Sequence, residues 1–337
     1  MSETENIDAV EVPGMEAFTF GDPIPVMEQW QSLYWGECHN HQLWYAPPYD
    51  PDALSKTMRA SPHHSSAIFV KRNILASTFI PHPLLSHRDF SKLALDHLTF
   101  GNAYVERVQS RSKKTMKLNV PLGKYMRVGT DGESYYFATH SWAEPHKYKA
   151  ENICHIIEPD VNQEVYGAPE YLSALNAAWL DESATLFRRK YYLNGSHAGY
   201  ILYINDPATN KEDIDAIRKA LKDSKGSGNF RNLFMYSPNG KKDGIQILPI
   251  SEVSANDDFF KIKEASRIDI AAAHRVPPQL MGASPTNAAG FGDLIKAARV
   301  FAVNELMPLQ QTMLQINDWL GEEVIRFKDY SLLKDED

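Results

Sequence analysis

The chain has 337 residues, a net charge of −8, 43% hydrophobic and 23% charged residues, a globular composition long enough for two domains or one large mixed one. No apolar run approaches the ~20 residues of a bilayer span, the acidic start has neither the basic nor the apolar region of a signal peptide, and two cysteines, Cys38 and Cys154, are too few for a disulfide framework. The charge argues against a protein built to grip nucleic acid, since grip comes from Lys and Arg set against phosphates, but not against one past which nucleic acid moves.

Residues 1–26 are acidic and without periodicity, and are expected to form an extended or disordered arm. Prolines then bracket two short helices, expected at 51–60 and 64–77. Ser86 precedes "HRDFSKLALDHLTF" with Asp89 three residues on as a capping-box acid, and Phe90, Leu93, Ala94 and His97 fall on one helical face. From Gly101 the period drops to two: "AYVERV", "MKLNVPL", "YMRV" and "SYYFAT", broken by the basic loop "QSRSKKT", read as an antiparallel meander continuing into "NICHIIEP".

A long helix follows over 170–193, with Leu172, Leu175, Trp179 and Leu186 at helical spacing and Arg188, Arg189 and Lys190 near its C-terminal end, where cations suit the helix dipole. The stretch 195–254 reads as a compact β-α-β-β insert: "AGYILYI", a helix over 211–225, "NLFMYS" and "GIQILPI", the last two joined by a hairpin at Asn239–Gly240. A second long helix over 256–274 places Phe259, Ile262, Ala265 and Ile268 in an expected buried stripe and ends because Pro277 moves Val276 out of helical geometry. The loop "AHRVPPQLMGASPTNAAGFGD" leads to helix over 293–320, in which Pro308 is expected to kink or restart the helix.

The chemical motifs fall short of their requirements. Cys38 and His41 have C-x-x-H spacing, but no second ligand pair completes a zinc site. The glycine-rich loop lacks the Lys and Ser/Thr that a phosphate cradle places after its second glycine, and no strand precedes it. No G-x-S-x-G turn presents a nucleophile. No cofactor, metal or catalytic residue is expected.

Taken in order, "FGNAYVERV" (100–108), "VYGAPEYLSAL" (165–175), "IAAAHRVPPQLMG" (270–282) and the helix leading into "LMPLQQTM" (306–313) resemble the signature stretches of the PBSX-type portal proteins of contractile-tailed temperate phages, over about 71–319. The resemblance implies an α+β portal fold: a mixed wing over 27–165, stem helices over 166–194 and 255–276, a clip over 195–254, a tunnel loop over 277–292, and C-terminal helices with a minimal crown over 293–337. It implies a dodecameric ring at one capsid vertex through which double-stranded DNA is packaged and leaves, not an enzyme, found in the virion and, during assembly, in the host cytoplasm. Implied partners are the terminase large subunit, the major capsid and scaffolding proteins and a head-completion connector. Carried over, the tunnel loop offers Pro277, Pro278, Gly282, Asn287, Gly290, Phe291 and Gly292. Lys261 and Lys263 are candidates to face the channel, and Arg188, Arg189, Lys190, Asp257 and Asp258 to make stem or subunit contacts. The alternatives are a soluble metal-dependent enzyme centred on "CHNH" and a DNA-binding adaptor.

Overall fold

The computed structural model describes residues 43–139, 144–193, 200–204, 233–236, 245–249, 255–282 and 294–333. The expected N-terminal arm, Cys38 and His41, the clip helix, the Asn239–Gly240 turn and the loop from 283 to 293 lie outside them. The contacts divide the chain into a smaller unit within residues 183–262 and a larger one within 25–182 and 263–337.

In the larger unit, α1 (Pro51–Thr57), α2 (Pro62–Thr78) and α3 (His87–Phe100) come first. Ser61, extended and followed by Pro62, caps α2 by accepting from the His63 amide at 3.2 Å. Half of the expected capping box of α3 forms: Ser86 Oγ accepts from the Asp89 amide at 3.1 Å, while the Asp89 carboxylate accepts from the Ser86 hydroxyl at 2.8 Å in place of the Ser86 amide. Its expected face, Phe90, Leu93, Ala94 and His97, is buried. Gly101, at φ 66, ends the helix and its amide donates to the His97 carbonyl at 2.8 Å.

The strands β1 (Asn102–Gln109), β2 (Thr115–Asn119), β3 (Met126–Val128), β4 (Ser134–Phe137) and β6 (Ile153–Ile157) appear where the period-two runs predict, and β5 (His146–Lys149), which no run marked, is added to them. Their pairing corrects the single meander: they form two antiparallel sheets, ordered β2-β1-β6 and β3-β4-β5. The reason lies in burial. Residues 102–105 of β1 are all buried, so that strand sits centrally and takes β6 as its second neighbour. The polar β5, "HKYK", suits an edge.

A C-terminal assembly completes the core: α6 (Leu294–Phe301), a π-helical stretch (Ala302–Leu306) and α7 (Met307–Leu320). Ile68, Leu75, Phe90, Leu93, Phe301, Met313 and Ile325 share one apolar cluster, each contributing roughly 1.5–3 kcal/mol by leaving water. Here the expected restart at Pro308 is found, within one residue, as a new helix that follows a π-helical interruption. Leu306 and Met307 keep helical backbone angles, with Pro308 in the first turn of α7. A π turn absorbs the missing amide and the ring that would clash with the preceding turn.

The long helix α4 (Leu175–Leu193), entered through a 3-10 turn (Glu170–Ala174), leaves the larger unit after Glu182, and α5 (Ala255–Ala273) returns to it at Lys263. The smaller unit holds β7 (Tyr200–Ile204), β8 (Leu233–Tyr236) and β9 (Ile245–Pro249). All three strands stand where expected, but the β8–β9 hairpin does not form: β7 is central, parallel to β8 and antiparallel to β9. Eight residues, 237–244, separate β8 from β9, where an Asn-Gly hairpin would have two.

Two expected stripes also need correction. On α5 the buried residues are Ser266, Ile270 and Ala271, with His274 just past its end; of the expected stripe Ile262 is half-buried, Ala265 is exposed, Ile268 is 55% exposed, and for Phe259 the helical backbone alone is described. On α4, Leu175 is buried and Leu172 and Trp179 partly so, but Leu186 is half exposed. Periodicity finds an apolar face without saying whether the same chain covers it.

Candidate functional site

Two of the quoted motifs mesh. Gly101 of "FGNAYVERV" and Gly167 of "VYGAP" approach so closely that a Cβ on Gly101 would overlap the Ala168 carbonyl carbon, and one on Gly167 would overlap the Gly101 oxygen. Asn102 staples the junction: its Oδ1 accepts from the Gly167 amide at 2.9 Å and its Nδ2 donates to the Gly167 and Phe100 carbonyls at 2.8 and 2.9 Å. Tyr49 adds a donor to the Gly167 carbonyl at 2.7 Å. The spacing "YGAPE" thereby delivers Glu170 and Tyr171 to the start of α4, where the Tyr171 hydroxyl donates to the Thr99 carbonyl at 2.5 Å.

The roots of α4 and α5 are joined within the larger unit. Ala174 and Ala178 pack on Ile270, small residues that let the helices approach. Asp181, fully buried, accepts from Ser61 Oγ at 2.8 Å and from Lys263 Nζ at 2.8 Å. Arg267 pairs with Glu264 one turn away on the same helix.

Beside this lies a cluster of four charges from four segments. Lys71 of α2 donates to Glu170 at 3.1 Å and to Glu305 of the π stretch at 2.6 Å; Arg275, just past α5, pairs with both carboxylates. Lys71 and Glu305 are 2% and 4% exposed. Two cations and two anions leave the cluster neutral, the condition under which buried charge is tolerated. Burial pushes the Glu170 carboxyl up, and Lys71 and Arg275 more than offset it, so it sits below its ordinary value. Arg275 adopts φ 53, a left-handed geometry uncommon outside glycine.

Against the cluster, His64 Nδ1 and His274 Nε2 lie 2.9 Å apart with Tyr171 stacked on His274. Burial lowers both imidazoles, His64 to about 4, so both are neutral near pH 7. A cavity of about 20 Å³, lined by Lys71, His97, Glu158, Glu170, Tyr171 and His274 among others, has room for a water rather than a substrate.

The expected site residues scatter. Pro277 and Pro278 open a short 3-10 turn that Gly282, at φ 69, closes. Asn287, Gly290, Phe291 and Gly292 lie outside the described residues. Lys261 is exposed, whereas Lys263 is tied to Asp181 and its charge is neutralised. Arg188 is half-buried and Arg189 exposed on α4; for Lys190, Asp257 and Asp258 the helical backbone alone is described. Sequence reasoning missed Lys71, Glu170, Arg275 and Glu305. Its usable signal is a lone charge inside an apolar helical run, as in "AIFVKRNIL" and "FAVNELMPL". No group of three or more His, Cys, Asp or Glu among the described residues is arranged to hold a metal ion, and Cys154 is a buried thiol that burial pushes up to about 12.

Residues 73–335 match the phage portal protein family. The chain belongs to that family. Among curated relatives, the probable portal protein of Escherichia phage P2 is 54% identical over 96% of this chain and 94% of its own length. The probable portal protein of Haemophilus phage HP1 is 35% identical over 79% of each chain. Among solved structures of similar fold are the neck of an empty gene transfer agent particle computed with C6 symmetry (TM-score 0.61, 18% identity, 86% of this chain and 87% of that one). Another is an HK97 family phage portal protein from Corynebacterium diphtheriae (TM-score 0.57, 13% identity, 87% and 96%). The meshed glycines, Glu170 and Arg275 fall in three of the four stretches quoted from the sequence, Lys71 and Glu305 lie outside them, and together they position the roots of both long helices.

Proposed function

We propose that copies of this chain close into a ring, twelve in the assembled head, at one vertex of a phage capsid, and that double-stranded DNA passes through it during packaging and exit. The observation that carries this reading is the 54% identity to a phage portal protein along nearly the full length of both chains. A second observation favours a ring over a monomeric adaptor. Leu180 of α4, Ile268 of α5, and Ile295, Val300, Val303 and Met307 along α6 and its continuation are 48–59% exposed in the single chain, and Val300, Val303 and Met307 follow one another at near-helical spacing, a run of exposed apolar residues that suits an interface. In a ring of more than two copies, one face of each subunit meets a different face of the next, which covers such stripes.

In this reading 27–165 is the wing, α4 and α5 within 166–194 and 255–276 are the stem, 195–254 is the clip and 277–292 the tunnel loop. The partners are the terminase large subunit and later a head-completion connector at the clip, with capsid and scaffolding proteins around the wing, first in the host cytoplasm and finally in the virion. Two cations of the stem, Lys263 and Arg267, are already paired with Asp181 and Glu264 and offer DNA little grip; Lys261 is the exposed candidate for the channel wall. Negative-stain imaging of the purified protein tests the ring: particles with a central hole are expected, and single subunits under all assembly conditions overturn it. Rings of Gly290→Pro that assemble but package less DNA are the expected outcome for the tunnel loop, and normal packaging overturns that role.

A further inference from the structure

The tip of the β1–β2 hairpin is a patch of cations without counter-charges. From Arg107 to Leu118 the sequence has no acid, and Arg111, Lys113, Lys114 and Lys117 are all exposed. Among the described residues none of these four has an ion-pair partner. The tip is nonetheless tightly built. The Ser110 amide donates to the Lys114 carbonyl and the Lys113 amide to the Ser110 carbonyl, both at 2.9 Å, and Ser110 Oγ accepts from the Lys114 amide at 3.2 Å. Lys113 sits at φ 62, where Gly or Asn is the low-cost residue, so a cation is kept at a strained position. A register shift after Val108 bulges Met116 out of the ladder, leaving Met116 60% and Val108 39% exposed beside the charges. A basic, ordered surface with two apolar side chains fits an acidic protein segment that itself carries apolar residues better than it fits a phosphate backbone, which offers nothing to Met116 and Val108.

The sequence contains such a segment. Residues 1–42 hold eight acids, Glu3, Glu5, Asp8, Glu11, Glu16, Asp22, Glu28 and Glu37, and no Lys or Arg, which equals the whole net charge of −8; the remainder of the chain is balanced. Between those acids stand Ile7, Val10, Val12, Met15, Phe18 and Phe20. We propose that the Arg111–Lys117 hairpin tip of one copy is the docking site for the acidic N-terminal segment of another copy in the ring. The pairing cancels like charge that twelve acidic segments would otherwise concentrate in one assembly. It rests on the ring reading above.

The test uses the full chain. Rings are assembled from an equal mixture of ¹⁴N and ¹⁵N protein, treated with a carbodiimide that joins only amines and carboxylates in direct contact, and digested for mass spectrometry. The expected result is heavy–light links from Lys113, Lys114 or Lys117 to acids between residues 3 and 28. Their yield falls as salt is raised and when a synthetic peptide of residues 1–28 is added in excess. In R111E/K113E the reporters Lys114 and Lys117 remain, and the Lys117 links drop about five-fold, as expected for two lost exposed pairs of about 0.5 kcal/mol each. Links confined to copies of one isotope, or no links from this tip in intact rings, overturn the docking while leaving the ring standing. A short DNA duplex that suppresses the links more strongly than the peptide assigns the patch to phosphate and also overturns it. If light scattering shows no assembly at all, the ring reading fails first and takes this inference with it.

Discussion

Two groups of cations in one chain behave oppositely. Lys71 and Arg275 lie against Glu170 and Glu305 at the root of the long helices, each held by both carboxylates. Arg111, Lys113, Lys114 and Lys117 stand in solvent on an ordered hairpin, with no ion pair among the described residues. Inside, charge is structural because removing either Lys71 or Glu305 strands the other in a low dielectric, while Arg275, half exposed, closes the cluster from the solvent side. Outside, solvent screens each charge, so the group adds little to folding and stays free to meet a partner.

The sharpest way to break the contrast is Glu305→Leu, which leaves Lys71 buried against one carboxylate. Urea unfolding is expected to show a loss of about 3–5 kcal/mol, with much of it recovered in K71M/E305L, where both charges go. Next comes Gly101→Ala, which meets both a positive φ and the Ala168 backbone; a loss of about 2–4 kcal/mol is expected from the same measurement. Gly132→Ala, with φ 67 but open space around it, is expected to cost only about 1 kcal/mol, which isolates the contact from the backbone effect.

Acid titration sharpens the comparison further. His64 is held neutral by burial, with its pKa lowered to about 4. Between pH 6.5 and 4 the unfolded chain binds that proton and the folded chain does not, so stability is present above 6.5 and is lost as pH falls through this window. Asp96 works in the opposite sense, since burial raises its carboxyl to about 6 and folding gains as pH falls below that. H64Q is therefore expected to flatten the acid limb relative to wild type by up to about 3 kcal/mol, measured as unfolding free energy at pH 7 and pH 4.5. The smallest effect belongs to the hairpin. R111A/K113A is expected within about 0.5 kcal/mol of wild type, and Lys113→Gly up to about 1 kcal/mol more stable because it relieves φ 62.

Legibility in the sequence followed locality. The Ser86 cap, the buried face of α3, the positions of every strand but β5 and the hairpin tip at "QSRSKKT" are set by residues a few positions apart, and the structure has them where expected. Pairing of β6 with β1, and of β9 with β7, depends on residues far apart in the chain and on which strand is buried on both faces. The four-charge cluster draws on positions 71, 170, 275 and 305, a juxtaposition no window reveals. The apolar stripe through Ile268 was readable as a stripe, but its exposure belongs to what lies outside a single chain. The family resemblance was legible because its four stretches include the residues that mesh, Gly101 with Gly167, and the one that ends the second long helix, Arg275.

The π turn at Ala302–Leu306 has a consequence for phase. An α-helix advances about 100° per residue, so one extra residue in a turn rotates everything beyond it by roughly that angle relative to everything before. With Pro308 forcing the wider turn, Glu305 points at Lys71 while Leu306, Leu309, Met313 and Ile316 still reach the core. If the turn tightened to ordinary helix with its residue count unchanged, one of those two sets would swing off its target, whereas deleting Val303 as well would bring the flanks back into phase. The wide turn is therefore what lets one helix satisfy a buried charge and an apolar core at once.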